Sequence, residues 1–141
     1  MSHAQPARTV SVLAVEDDDA AYHLLKLAFE EVNRSLMLKR VVDDRQAMEF
    51  LCKLPPFERA ERPDLILLNL NLPKMSGLEV LAAIRRDSSL NQIPVVVFTS
   101  SALDEDRAHC LALGAREFVT KPVDFDELVS AVKNAHAFIS L

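Results

Sequence analysis

Asp64-Leu65-Ile66-Leu67-Leu68-Asn69-Leu70-Asn71-Leu72-Pro73 (DLILLNLNLP, 64–73) decides the fold. Four consecutive aliphatic residues, bounded by Asp64 before and by Asn69 to Pro73 after, read as a short strand buried on both faces, not the in-and-out alternation of a half-exposed one. Upstream, Val10 to Val15 (VSVLAV) has the same character and stops at four acids, Glu16 to Asp19. Ala21, Leu24, Leu25, Ala28 and Val32 then recur at helical spacing, with Asp18 or Asp19 available as N-cap. Leu36 to Val42 (LMLKRVV) reads as a more polar strand nearer a sheet edge, followed by a helix over Arg45 to Leu54 that Pro55-Pro56 ends. Downstream, Ser76 is placed to cap a helix carrying Leu78, Val80, Leu81 and Ile84 on one face. Pro94 to Phe98 (PVVVF) is a further apolar strand, Leu103 to Leu113 a helix with Gly114 as C-cap, Arg116 to Thr120 a short strand, and Asp124 onward a last helix.

This β-α unit repeated five times, with short crossovers, predicts an α/β fold: a doubly wound five-stranded parallel sheet with helices on both faces. The 141 residues suit one domain over 10–141 with an N-terminal extension over 1–9. Composition excludes several functions. With only Gly77 and Gly114 in the chain, a glycine-rich phosphate loop or dinucleotide fingerprint is ruled out. Sixteen Lys and Arg against 21 Asp and Glu, a net charge of −5, argue against nucleic-acid binding. No apolar run is long enough to span a membrane, and MSHAQPARTV lacks a hydrophobic signal segment, so a soluble cytoplasmic protein is expected. Cys52 and Cys110 form no ligand pair with each other or with the four histidines, and both are expected to be buried thiols. His23, His109 and His136 are expected at surface or half-buried positions.

In open parallel sheets ligands bind beyond the carboxyl ends of the strands, near the switch point of strand order. The residues there are Glu16 and Asp17, Asn69 and Asn71, Thr99 and Ser100, and Lys121-Pro122. Paired carboxylates favour a divalent cation between them, and an all-oxygen environment suits Mg²⁺. A hydroxyl and an ammonium opposite such a cation are what a phosphoryl group needs. The nucleophile is missing, because Asn69 stands where a carboxylate would attack.

VSVLAVEDDD, LILLNLNLPKMSG, PVVVFTS and EFVTKPVD, in this order and spacing, resemble the receiver domain of two-component response regulators from Val10 to the C-terminus. LNLPKMSG and RRDSSLNQIPVVVFTSS resemble in particular the single-domain regulators that work with phytochrome-type histidine kinases. The resemblance implies a (βα)5 flavodoxin-like receiver fold. It makes Glu16 and Asp17 the Mg²⁺ ligands, with the backbone carbonyl of Asn71 as a further ligand. Thr99 becomes the switch hydroxyl, Lys121 the ammonium that pairs with the phosphoryl group, and Phe118 the aromatic whose rotamer reports the state of the site. Asn69 falls on the phosphoacceptor, which in the family is aspartate, and Ser76 stands where an acid is commoner.

A carboxamide has the shape of a carboxylate without its charge, so its oxygen is a poor nucleophile. Phosphorylation at residue 69 is therefore not expected, and Mg²⁺ binding is expected to be weakened. Either the residue was substituted deliberately or the protein is a natural pseudo-receiver. Retention of every other pocket residue favours substitution or a recent loss. The function implied is a response regulator in a His-Asp phosphorelay, acting by protein contacts with a sensor histidine kinase. Two rivals are a phosphorylation-independent scaffold and a Mg²⁺-dependent phosphohydrolase; the enzyme is the weaker, since it needs an aspartate at 69 and a second acid where Asn71 sits.

Taken singly, Thr99 is a strand-end residue, Lys121 a solvated charge and Phe118 a core residue; their combination carries the reading. Asp18 and Asp19 are expected to be only caps and dipole partners. In the last helix Phe125, Leu128, Val129 and Val132 make one apolar stripe, and Ala131, Ala135, Phe138 and Leu141 a second that one sheet face cannot also bury. That surplus predicts either an exposed terminus or a homodimer through the fourth helix, fifth strand and fifth helix, a face that similar receivers use.

Overall fold

The computed structural model describes residues 9–71 and 77–139. Ser76, Leu141 and nearly all of the N-terminal extension, on which expectations were placed, lie outside them. Strands and helices alternate along the chain: β1 (Ser11–Val15), α1 (Asp19–Val32), β2 (Met37–Val41), α2 (Asp44–Leu51), β3 (Leu65–Leu68), α3 (Gly77–Arg86), β4 (Val95–Thr99), α4 (Asp104–Ala112), β5 (Glu117–Thr120) and α5 (Phe125–His136). The strands pair in parallel in the order β2-β1-β3-β4-β5. Chain order reverses between β1 and β3, so their carboxyl ends border the crevice where such sheets bind ligands.

Alternate strand residues feed two cores, as expected for a sheet covered on both sides. Leu13, Val15, Ile66, Leu68, Val95 and Val97 pack with Ala47 and Phe50 of α2, Val80, Leu81 and Ile84 of α3, and Cys110 of α4. Val12, Leu65, Leu67, Val96 and Phe98 pack with Leu25, Ala28 and Phe29 of α1 and Leu128, Val132 and Ala135 of α5.

Three expectations are corrected. The second helix stops at Leu51, before Leu54. Lys53 takes φ 56°; its N–H donates to Phe50 O at 3.2 Å and that of Leu54 to Glu49 O at 2.9 Å, a Schellman turn that ends the helix ahead of the prolines. Gly114, at φ 97°, closes α4 in the same way, as its type suggested. Cys52, just past the end of α2, is exposed, while Cys110 is buried. Lastly, the described members of the second apolar set of α5 are not left over. Ala135 is buried and Ala131 and Phe138 pack against the same core, because α5 lies against α1 as well as the sheet. Exposed apolar side chains lie at Leu103, just before α4, at Leu111 within it, and at Val123 and Phe125, where β5 turns into α5, as well as at Leu24, Leu27, Met37, Val42 and Leu54 elsewhere on the surface.

Candidate functional site

The two walls of the crevice are continuations of the sheet. Glu16 donates its N–H to Val41 O at 3.0 Å and Asn69 its N–H to Val15 O at 3.1 Å, so both residues are held by ladder bonds just past the ends of β1 and β3. Glu16 is 2% exposed and Asn69 6% exposed, whereas Asp17 stands in solvent. A carboxylate buried to that degree must be paired. Lys121 supplies the charge, with Nζ 2.6 Å from Glu16 Oε1. The other oxygen, Oε2, accepts from Asn69 Nδ2 at 3.1 Å and from the Asp18 N–H at 3.1 Å. Asn69 Nδ2 also donates to Asp17 Oδ1 at 3.3 Å, and its Oδ1 accepts the Asn71 N–H at 3.1 Å. The expected group thus converges: Glu16, Asp17, Asn69 and Lys121 are in direct contact, with Asn71 joined through its amide proton.

Thr99 and Phe118 line up beside this group from β4 and β5. The Thr99 side chain is fully buried and its Oγ1 accepts the Ser101 N–H at 3.3 Å, while its carbonyl accepts the Lys121 N–H at 2.7 Å. Phe118 is turned into the core beneath α4, 5% exposed. Gly77 brings the start of α3 onto the back of the crevice: its N–H donates to Leu70 O at 2.8 Å, and a Cβ there would fall 2.5 Å from Asn69 O. Among the histidines, His23 and His109 are exposed and His136 is half-buried near Asn33.

One contributor was not anticipated from the sequence. Arg40, from the inner-facing positions of edge strand β2, donates Nε–H to the Glu16 carbonyl at 2.8 Å and Nη1–H to Asp19 Oδ1 at 2.7 Å, and its guanidinium lies 5.2 Å from the Tyr22 ring centroid. It braces the acidic loop from the side opposite Lys121 and makes Asp19 more than a dipole partner. Burial pushes the Tyr22 hydroxyl above its ordinary pKa, with the nearby Arg40 charge acting against that shift. The only sequence signal for this role is a long cation in a strand flanked by aliphatic residues, LMLKRVV.

As arranged, these side chains do not fit a divalent cation. Among the described residues no three His, Cys, Asp or Glu side chains are placed to hold one. Both oxygens of Glu16 are engaged, and the group facing the two carboxylates is an NH₂ donor, whose hydrogens a cation would repel.

Residues 12–133 match the response regulator receiver domain family. The chain belongs to that family. The receiver domain is 36% identical over 129 residues to response regulator Rcp1 of Synechocystis, covering 90% of this chain and 86% of Rcp1. It superimposes with a TM-score of 0.86 on the crystal structure of the phosphorylated cyanobacterial phytochrome response regulator RcpA, at 36% identity and with 94% of each chain covered. The Mn²⁺-bound form of Rcp1 gives a TM-score of 0.83 at 35% identity, covering 92% of this chain and 93% of that one. The doubly wound sheet is the flavodoxin-like receiver fold, and the protein is a response regulator of two-component signalling with phytochrome-associated relatives. Receiver domains are signalling modules that work with sensor histidine kinases. No helix among the described residues is long and apolar enough to cross a membrane.

Proposed function

We propose that this receiver domain signals through protein contacts, in partnership with a phytochrome-type histidine kinase, without accepting a phosphoryl group at residue 69. The observation that carries this reading is the Asn69 side chain, whose oxygen is bonded to the Asn71 N–H and whose nitrogen faces Glu16 and Asp17. An aspartate in this place would present an anionic oxygen as nucleophile; the amide nitrogen is delocalised and presents only hydrogens. Glu16 and Asp17 remain the acidic pair, Thr99 the switch hydroxyl, Lys121 the phosphoryl-pairing ammonium and Phe118 the reporting aromatic of the site. The Asn71 carbonyl is a ligand only for a cation that first displaces the amide. A divalent cation such as Mg²⁺ therefore binds weakly.

The domain is not an enzyme: at the position of the attacking carboxylate the described residues offer only the Asn69 amide, and an aryl phosphate should not be turned over. It acts in the cytoplasm, where free thiols such as Cys52 and Cys110 persist. Self-association through the α4-β5-α5 side is supported by Leu103, Leu111 and Val123, which are 58%, 40% and 103% exposed there, and no longer by the second stripe of α5. Nucleic acid is not a partner for a domain of net charge −5.

Incubation with acetyl phosphate and Mg²⁺ followed by intact-mass measurement tests the proposal. The native chain is expected to remain unmodified and Asn69→Asp to gain one phosphoryl group. Addition of phosphate to the native chain, mapped to this crevice, overturns it.

A further inference from the structure

We infer that Asn69 is a built-in substitute for the divalent cation: its NH₂ group bridges the Glu16 and Asp17 carboxylates and holds the acidic crevice closed with no metal present. This rests on the proposal that the crevice is a receiver site, and it adds how that site is regulated.

The charges at the site decide the matter. Two carboxylates 3.1 and 3.3 Å from one nitrogen repel each other unless something positive lies between them. In an all-oxygen acidic site that role falls to a cation. Here the two N–H dipoles of the carboxamide point at the two acids, and Lys121 adds a full charge on the far oxygen of Glu16 at 2.6 Å. The Asp18 N–H supplies a fourth donor, and Arg40 holds the same loop through the Glu16 carbonyl. Asn69 itself cannot swing away cheaply, because its Oδ1 is tied to the Asn71 N–H and it is 6% exposed. Both oxygens of Glu16 and both ends of the Asn69 amide are thus satisfied by other members of the network.

Two consequences follow. Folding stability is independent of Mg²⁺ and Mn²⁺, because nothing is gained when a cation must first displace an amide that already satisfies both acids. The site also has a single state. Lys121 is committed to Glu16, the Thr99 hydroxyl to the Ser101 N–H, and Phe118 is packed inward. With no anion arriving at residue 69, nothing draws these three groups elsewhere.

The test is thermal unfolding in EDTA and in Mg²⁺, together with Mn²⁺ titration followed by paramagnetic broadening of the backbone amide signals of residues 16–18. The native chain is expected to unfold at the same temperature in both buffers, and equimolar Mn²⁺ is expected to leave its signals sharp. Asn69→Asp is expected to unfold earlier in EDTA, to recover with Mg²⁺, and to bind Mn²⁺ about tenfold or more tightly, since affinity follows the count of anionic ligands. A native chain stabilised by Mg²⁺, or broadened by equimolar Mn²⁺, overturns the inference whether or not the variant folds. The underlying receiver reading fails separately, if Asn69→Asp binds Mn²⁺ yet takes no phosphoryl group from acetyl phosphate.

Discussion

The carboxyl ends of β1 and β3 and the helix α4 differ in how firmly they are held. At the first, Glu16 alone engages Lys121, Asn69, Asp18 and the Val41 carbonyl, and α1 starts from a capped Asp18 whose side chain accepts the Ala20 and Ala21 N–H groups at 2.9 and 3.2 Å. At the second, Leu103 occupies the N-cap without any side-chain bond, and Cys110 is the one residue of α4 that is buried. Ser101 ties the helix down, donating Oγ–H to Asp106 at 2.6 Å while its carbonyl accepts from the Thr120 hydroxyl at 2.9 Å. Segments with few buried apolar contacts open at lower free energy. The domain therefore joins a rigid polar crevice to a loosely anchored helix, with Thr99 and Ser101 between them.

Removing the cation from the rigid region should cost most. Lys121→Met leaves a buried Glu16 carboxylate without its charge partner, and urea unfolding should show a loss of about 3 kcal/mol, the lower end for a broken buried pair because the Lys121 side chain is 26% exposed. An unchanged urea midpoint would mean that the donors from Asn69 and Asp18 suffice. Gly77→Ala comes next. A Cβ lying 2.5 Å from Asn69 O and 2.7 Å from Leu70 Cα meets the backbone that follows β3, which cannot swing aside like a side chain, so about 2 kcal/mol of overpacking is expected in spite of the better helix propensity. The same variant should shift the backbone amide signals of residues 69–71 more than those of α4. Asp18→Ala, which removes the α1 cap, should cost about 1 kcal/mol.

Leu103→Ser is the smallest change. At an exposed, uncapped helix start it should lie within about 0.5 kcal/mol of zero, or stabilise slightly through a new cap. The contrast itself can be read from the two thiols. Burial, and secondarily the Asp106 charge, push the Cys110 thiol up, so it should react with a disulfide reagent only when α4 opens, while exposed Cys52 reacts at once. Labelling of Cys110 faster than global unfolding permits would sharpen the comparison. Labelling only at the global rate would show that α4 is held as firmly as the crevice.

The element order was legible because the buried strands are almost wholly apolar runs, LILL and VVVF above all, and each helix has one apolar stripe. The limit of α2 was not, since a lysine in a left-handed conformation ends it, and lysine carries no signal for that geometry. The fate of the last helix was misjudged because a stripe count assumes one packing partner. Helix α5 has two, the sheet and α1, and so packs Ala131, Ala135 and Phe138, which looked surplus. Within the site, Glu16, Asp17, Asn69, Thr99 and Lys121 were each identifiable as a residue that follows or closes a strand, whereas Phe118, inside β5, came only from the family resemblance. Arg40 was hidden, because its role depends on β2 lying beside β1, a pairing between residues far apart in the chain.

By itself the sequence determined the five-fold β-α repeat, the acidic loop and the carboxamide at position 69. These are local matters of hydrophobic period and residue chemistry. Only the tertiary structure decided what the carboxamide touches. Its two acids come from the far side of the β1–β3 pairing and its competing lysine from β5, three segments that parallel strand order brings to one edge. The distances of 3.1, 3.3 and 2.6 Å among them turn a missing nucleophile into a closed polar network.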